Sequence, residues 1–461
     1  MKINKNKLLN WKSPLFIITS IISAFLLFLF GCWIGTKATT KDFNTIYGGI
    51  STSTYTSPGT VHFSEATDTE PMKIWKEDAT GNKLLDDFKI LTLTDIHLKD
   101  SGSDFCLKIL DRYIQLEKPD LVVLCGDNIF RCTGTKYPYQ LQDLFEKREQ
   151  YWTFVLGNHD GEGWERDRDS PDYWPARQKA FNLISGVERY GKQADHCLAR
   201  SITDDADASR YGYGTNQIDV IGSNNQPIQS LFFFDCMTID HKNDTVKNWL
   251  SNQLQDINND VIGFTHKPFK EMDDCLKKIG KDPQAQHLWG INDERICYDG
   301  TYSGVFDVLA DNLDNNPVMV FGHDHVNNLA LSYKGVKLIY SLGLQYNSYN
   351  SRFSELKWIY DIGYVLDNSI CSYIDGVSEF IVNKGKPLTI ANKYNQFSGA
   401  LDGLKTELWK VTKGNFTYGV KGFTIALDVI LPLTSLYCAT FYIEFAIYQI
   451  NKKKGNKKRA R

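Results

Sequence analysis

Two histidines one residue apart, His323 and His325, follow an apolar run late in the chain, in the stretch GHDH. Such a pair is weak evidence of a site by itself, but four other segments end in similar residue types. These segments are LTDIH with Asp95 and His97, CGDN with Asp127, GNHD with Asn158, His159 and Asp160, and FTHKP with His266. Each follows a short apolar run that predicts a β-strand.

The spacing and chemistry of these side chains predict a metal centre. Residues i and i+2 point to the same side of a strand, so Asp95 with His97, and His323 with His325, can each face one point. Carboxylate, imidazole and amide ligands suit Mn, Fe or Zn better than Ca or Mg. Because there are more ligands than one ion needs, we expect two divalent ions, with Asp127 able to bridge them.

Strands and helices alternate along the middle of the chain, which predicts an α/β domain with its strands buried between layers. The predicted strands are FKILTLTDIHL, DLVVLCGDN, YWTFVLGNHD, DVIGFTHKPF and NPVMVFGHDH, and the predicted helices are DFCLKILDRYIQLEKPD, YQLQDLFEKREQ, DTVKNWLSNQLQDI and SGVFDVLADNL. In α/β sheets ligands bind beyond the carboxyl ends of the strands, so the polar groups are expected to converge there.

In this order, the motifs D-x-H, G-D, G-N-H-D, H and G-H-x-H resemble the signature of the calcineurin-like metallophosphoesterases, over roughly residues 88–344. The segments GDNIF, WLSNQLQ, SGVFDVL and GHDHVNN look most like the small purple-acid-phosphatase-like branch. The resemblance implies a four-layer αββα sandwich and hydrolysis of a phosphomonoester by a metal-bound hydroxide. A phosphodiesterase for nucleotides, lipid head groups or wall polymers is one alternative. An inactive binding module with this fold is the alternative of another class.

The resemblance also implies a role for each motif residue. One metal ion would be held by Asp95, His97, Asp127 and His325, and the second by Asp127, Asn158, His266 and His323. His159 would protonate the leaving group, and Asp160 would orient His159 by accepting its other N–H. Purple enzymes have a tyrosine ligand three residues after the bridging aspartate, where this chain has Phe130. The expectation is therefore an active but colourless enzyme.

The charge of the chain is unevenly placed. Residues 1–13 and 451–461 hold eleven basic residues and no acidic one, which leaves 41 basic against 55 acidic residues between them. An acidic body is a poor match for nucleic acid, because binding to nucleic acid depends on neutralising phosphates with Lys and Arg. We therefore expect a phosphate-ester substrate and no nucleic-acid partner.

Two apolar segments indicate a membrane protein. Residues 14–35 contain no charged residue and are long enough to cross a bilayer as a helix, although a cleaved signal peptide or a lipoprotein processed at Cys32 are alternatives. Residues 422–448 include Asp428, Pro432 and Glu444, so a second transmembrane helix and a packed amphipathic helix are equally good interpretations. Flanking basic residues predict cytoplasmic termini and an extracytoplasmic catalytic domain.

These features predict a linear domain order. It comprises a basic tail (1–13), a transmembrane helix (14–35), a linker (36–85), the metallophosphoesterase domain (86–385), a connector (386–421), a possible second transmembrane helix (422–448) and a second basic tail (449–461).

Overall fold

The computed structural model describes residues 22, 49, 56–68, 70–99, 103–131, 133–202, 208–239, 243–292, 294–325, 327–344, 375–395, 398–402 and 404. One compact unit, Phe43–Asn415, contains all the secondary structure discussed below.

The described strands and helices alternate through most of this unit. The strands are β1 (Thr60–Ser64), β2 (Met72–Glu77), β3 (Asp87–Leu93), β4 (Leu121–Cys125), β5 (Trp152–Val155), β6 (Asn216–Ile221), β7 (Pro227–Phe233), β8 (Asp260–Phe264), β9 (Ala285–Trp289), β10 (Val318–Phe321), β11 (Ala330–Tyr333), β12 (Val336–Tyr340), β13 (Gly376–Asn383) and β14 (Thr389–Tyr394). The helices are α1 (Ser103–Glu117), α2 (Lys136–Lys147), α3 (Tyr173–Ser185), α4 (Val187–Tyr190), α5 (Ala208–Tyr211), α6 (Asp244–Gln255), α7 (Lys270–Lys278) and α8 (Gly304–Ala310), with a 3₁₀ turn at Leu313–Asn315.

The strands form two sheets. Within the described residues, the larger sheet has the order β1-β2-β6-β7-β8-β10-β12-β11-β9, and the smaller one has the order β14-β13-β3-β4-β5. In the smaller sheet β3, β4 and β5 are parallel. In the larger sheet β8 and β10 are parallel neighbours. The strands that carry the motif residues therefore end at the same edge within each sheet.

Three apolar cores define four layers. One core joins the two sheets and includes Ile90 of β3, Val123 of β4 and Phe264 of β8. A second core packs helices α1, α2 and α3 on the smaller sheet, and the third packs α6, α7 and α8 on the larger sheet. All five residues of β4 (LVVLC) are buried, as expected for a strand that is covered on both faces.

The predicted α/β sandwich fits this architecture, and each strand and helix predicted from a motif-bearing segment has an observed counterpart. The structure differs from the predicted boundaries at both ends of the domain. Strands β1 and β2 lie in the predicted linker, and β14 lies in the predicted connector. These three strands carry mixed polar and apolar residues, and they are formed by pairing with other strands of the sheets.

The prediction of transmembrane helices is wrong. Among the described residues, no helix is long and apolar enough to cross a bilayer. The longest of these helices, α1, has 15 residues and contains several charged ones, whereas a span needs about 20 predominantly apolar residues. Apart from Ile22, the segments 14–35 and 422–448 themselves lie outside the described residues.

Candidate dinuclear metal centre

The motif residues lie in the loops that follow five strands. The first motif residue comes two positions after the end of β3, β4, β8 and β10, and Asn158 comes three positions after the end of β5. Backbone hydrogen bonds join two of these loops, because the N–H groups of Asp95 and His97 donate to the carbonyl oxygens of Gly126 and Asp127. The loop after β10 of the larger sheet meets them, because His323 N–H donates to Asp95 Oδ2 (3.0 Å).

The side chains form two clusters whose candidate ligand atoms lie within 4.8 Å of one another. The first cluster contains Asp95, His97 and His325, and the second contains Asp127, His266 and His323. Asp127 Oδ2 lies 3.2 Å from His266 Nε2 and 3.6 Å from His97 Nε2, so this oxygen stands between the two clusters. Three of the four predicted ligands of each ion therefore lie together, and Asp127 Oδ2 lies between the two clusters.

In both Asp95 and Asp127, one carboxylate oxygen accepts hydrogen bonds that orient the group, and the other oxygen accepts none from the described part of the chain. Asp95 Oδ2 accepts hydrogen bonds from Thr94 Oγ1 (2.8 Å) and His323 N (3.0 Å), and Asp127 Oδ1 accepts one from His159 N (2.8 Å). The opposite oxygens, Asp95 Oδ1 and Asp127 Oδ2, are buried without a hydrogen-bond donor among the described residues. Such oxygens are the expected ligands of a cation, since burying them without a partner is costly.

Two further buried atoms fit the same interpretation. Asn158 Oδ1 and His266 Nε2 also have no hydrogen-bond partner within the described part of the chain. His266 Nδ1 lies 2.8 Å from the carbonyl oxygen of Cys125, to which it donates, so Nε2 is the ring atom that can bind a metal. The donor set of oxygen and imidazole atoms therefore fits two divalent ions such as Mn, Fe or Zn.

The backbone at the site is strained. The candidate ligands Asp95, His97, Asp127 and His323 all have positive φ, between 46° and 76°, a region that residues with a side chain seldom occupy. Such strain is typical of functional sites, where the surrounding structure enforces a geometry that the chain would not choose. Here the positive φ values occur at the candidate ligands that follow the strand ends.

Glycine is required where loops meet at the centre. A Cβ atom on Gly157 would stand 2.1 Å from Asp127 Oδ1, and one on Gly126 would stand 2.5 Å from the Cβ of His266. Gly126 also has a φ of +90°. Only glycine lets these loops approach the candidate bridging aspartate and His266 so closely.

Electrostatics keep the two carboxylates ionised. Burial would raise the pKa of Asp95, but His325 and His266 outweigh it and hold that pKa well below its usual value. The same competition, with His266 and His97 opposing burial, lowers the pKa of Asp127. Burial would in turn lower the pKa of His266, yet Asp127 and Asp95 raise it to about 9. A metal ion binding at His266 must therefore displace a proton.

His159 lies beside the clusters. Its Nε2 is 3.9 Å from Asp127 Oδ2, and its Nδ1 is 2.8 Å from Glu162 Oε2. Burial would lower the pKa of His159, but the hydrogen bond to Glu162 and the charge of Asp127 raise it. These contacts favour the protonated form of the imidazole, in which Nδ1–H donates to Glu162 and Nε2 lies on the side of the metal centre.

Asp160 does not hold His159, in contrast to the role that the resemblance implied. Its carboxylate is buried and accepts hydrogen bonds from Gly157 N (2.8 Å), Ile129 N (2.8 Å) and both nitrogens of Asn128. Burial, reinforced by the nearby Asp127, raises the pKa of Asp160 to about 6. Asp160 therefore ties the loop after β5 to the loop after β4, and Glu162 is the carboxylate that orients His159.

Three functional residues were missed by the sequence analysis. Glu162 had a detectable signal, since it follows His159 by three residues in the same loop. Arg177 and Asp235 had none, because they are 58 positions apart and match no motif. Arg177 forms a buried bidentate ion pair with Asp235 (2.6 and 3.1 Å) and donates to the carbonyl oxygens of Gly157 (2.9 Å) and Asp160 (3.3 Å). This pair supports the loop that carries Asn158 and His159.

The fold and the two clusters define a metallophosphoesterase-type α/β sandwich. A family model described as calcineurin-like phosphoesterase matches residues 88–327, which is more than half of the chain. The chain belongs to the calcineurin-like phosphoesterase family. The matched range includes every candidate ligand from Asp95 to His325.

Known relatives are purple-acid-phosphatase-like. Two proteins of Arabidopsis thaliana are similar to the chain. "Probable inactive purple acid phosphatase 28" is 25% identical, and the match covers 57% of this chain and 71% of the relative. "Probable inactive purple acid phosphatase 29" is 24% identical, and the match covers 57% of this chain and 73% of the relative. A solved dimetal phosphatase from Danio rerio is 12% identical, covering 67% of this chain and 96% of that one with a TM-score of 0.38. The purple acid phosphatase PPD1 from yellow lupin (Lupinus luteus) seeds is 10% identical, covering 72% and 57% with a TM-score of 0.39.

Proposed function

We propose that this protein is a dinuclear-metal phosphoesterase that hydrolyses a phosphomonoester. The observation that carries the proposal is the set of buried atoms without hydrogen-bond partners in the described residues: Asp95 Oδ1, Asp127 Oδ2, Asn158 Oδ1 and His266 Nε2. Four such atoms, on loops from both sheets, are too costly to bury unless a ligand satisfies them. The donor set suits divalent metal ions, and the family supplies the reaction class.

When bound, two divalent ions supply Lewis-acid stabilisation of the phosphoryl oxygens and a more acidic water nucleophile. Asp95, His97, Asp127 and His325 would hold one ion, and Asp127, Asn158, His266 and His323 the other. The ordered backbone of the five loops fixes these ligands before substrate arrives, so little reorganisation is needed during the reaction.

His159 is the proposed general acid. Glu162 accepts a hydrogen bond from Nδ1–H of His159, which fixes the ring and favours the imidazolium form. The Nε2 proton is then available for the oxygen of the departing alcohol. A general acid contributes about 10²- to 10⁴-fold to the rate when the leaving group is poor.

An inactive binding module is the second candidate, and the words "probable inactive" in the names of the two plant relatives favour it. The intact donor set opposes it. Turnover distinguishes the two functions. An enzyme of this class needs both ions and His159 for turnover, whereas a binding module has no turnover to lose.

The test uses the full-length protein with Mn²⁺, assayed on p-nitrophenyl phosphate, bis-p-nitrophenyl phosphate and glycerol 3-phosphate. Asp127→Asn and His159→Ala are the test variants. His196→Ala is the matched control, since His196 forms an equivalent pair with Glu146 (2.7 Å) outside the candidate site. Metal content is measured by elemental analysis in each protein.

The proposal expects two bound ions, monoester turnover, loss of turnover in both test variants and no change in His196→Ala. Faster hydrolysis of the diester than of the monoester would identify the protein as a phosphodiesterase. If the parent protein binds no metal and shows no turnover, the proposal is wrong, and the inactive binding module is the remaining interpretation.

A further inference from the structure

Arg131 lies on the His159 side of the candidate centre. Its Nε is 3.2 Å from Glu162 Oε2, the same oxygen that lies 2.8 Å from His159 Nδ1. One carboxylate oxygen therefore contacts both the guanidinium of Arg131 and the imidazole ring of His159, which places Arg131 beside His159.

The guanidinium of Arg131 is held in place from a second direction. Its Cζ lies 4.9 Å from the centre of the Phe130 ring, a cation–π distance, and Lys99 Nζ lies 5.0 Å from the same ring. The Phe130 ring in turn contacts the rings of His159 (4.8 Å) and His97 (5.1 Å). Phe130 thus places two cations next to the histidine proposed to protonate the leaving group.

Arg131 still has donors to offer. Its side chain is 45% exposed, and Glu162 contacts only Nε, so the two terminal nitrogens have no hydrogen-bond partner among the described residues. The φ of Arg131 is 49°, a strained value that fixes where this side chain leaves the loop. By contrast, the nearby cations Lys267 and Arg168 both pair with Asp299.

We infer that Arg131 is a specificity residue that binds an anionic group on the alcohol part of the substrate. A planar guanidinium with two open donors matches a carboxylate or a phosphate, and its stacked, paired position lowers the entropy lost on binding. The preferred substrates are phosphomonoesters whose leaving group carries a second negative charge. The inference rests on the proposed function in one respect, the placement of the leaving group beside His159.

The test compares matched ligands on the full-length, Mn²⁺-loaded protein. 3-Phosphoglycerate and glycerol 3-phosphate differ by a carboxylate, and fructose 1,6-bisphosphate and fructose 6-phosphate differ by a phosphate. For each pair, kcat/KM is measured in the parent protein, Arg131→Gln and Arg131→Lys. If no ester is hydrolysed, the same pairs are measured as equilibrium affinities by calorimetry, so the test does not depend on turnover.

Arg189→Gln is the matched control. Arg189 also stacks on an aromatic ring, Tyr139 at 4.8 Å, and also pairs with a carboxylate, Asp143 at 2.7 Å, but it belongs to α4, outside the candidate site. Its removal tests for general effects of losing an arginine.

The parent protein should prefer the anionic member of at least one pair by about 10- to 100-fold. Arg131→Gln should bring that ratio close to one, Arg131→Lys should give an intermediate ratio, and Arg189→Gln should leave it unchanged. The pair that shows the preference identifies carboxylate or phosphate as the bound group. A parent protein with no preference for either anion, or a preference that survives Arg131→Gln, would overturn the inference.

Discussion

His159 Nδ1 and Glu162 Oε2 lie 2.8 Å apart, three residues from each other in the loop after β5. The contact fixes the tautomer and the orientation of the imidazole, and it raises the pKa of His159 against the opposing effect of burial. A histidine whose protonated form is favoured and whose Nε2 lies on the side of the metal centre can serve as a general acid. The pair therefore links the geometry of one loop to the pH dependence of the proposed reaction.

Glu162→Gln should move the alkaline limb of the pH–rate profile to lower pH. The neutral amide no longer favours the imidazolium, so the pKa of His159 falls. Since the proton donor exists below that pKa and is lost above it, activity disappears at a lower pH. The profile of kcat is measured with glycerol 3-phosphate, whose alkoxide needs protonation more than p-nitrophenolate does. Glu146→Gln, which alters the equivalent pair with His196, should leave the limb in place; an unshifted Glu162→Gln profile would contradict the assignment.

Asp160→Asn should lower stability while leaving the alkaline limb where it is. Asp160 accepts hydrogen bonds from Gly157, Ile129 and Asn128, and an asparagine would turn an NH₂ group toward some of these donors. Leaving buried donors unpaired costs about 1–3 kcal/mol. Urea unfolding measures the loss, with the exposed Asp169→Asn as the control. Full stability together with a shifted limb would instead support Asp160 as the partner of His159.

Arg177→Ala should destabilise the protein by about 3–5 kcal/mol, because it leaves Asp235 as an unpaired buried charge. The two side chains are 1% and 0% exposed and share two hydrogen bonds. The free energy of unfolding is measured by denaturation in guanidinium chloride. Arg200→Ala removes a similar pair with Glu65 at 2.6 Å, but there the glutamate is 57% exposed, and the expected cost is under about 1 kcal/mol. Equal costs for the two variants would mean that burial of the Arg177 pair is not what stabilises the loop.

Iron-loaded protein should be colourless. The residue three positions after Asp127 is Phe130, whose ring has no oxygen to bind a metal and packs instead on His97 and His159. The visible spectrum is recorded on protein whose iron content has been verified by elemental analysis. A strong visible band of the iron–tyrosinate type would show that another tyrosine reaches the metal, contrary to the prediction.

Much of the fold and the site was predictable from local sequence. Buried strands such as LVVLC and VMVF are continuous apolar runs, and helices such as α1 and α6 show clear periodicity. Strands β1, β2 and β14 were missed because their residues are mixed, and their formation depends on partners elsewhere in the chain. The uncharged segment 14–35 indicated a transmembrane helix, whereas no helix among the described residues is long and apolar enough to cross a bilayer.

By itself, the sequence determined which residue types follow each strand and in what order. Parallel strands of one sheet bring their carboxyl ends to one edge, so the convergence of Asp95 after β3 with Asp127 after β4 follows from strand position and spacing. The approach of His266, which follows β8 of the other sheet, depends on the packing of the two sheets. Only the tertiary structure decided which carboxylate holds His159, because the choice between Asp160 and Glu162 depends on the path of the loop backbone. It also decided the pairing of Arg177 with Asp235 and the placement of Arg131 on Phe130. These contacts join side chains through space, and no local pattern of residues encodes them.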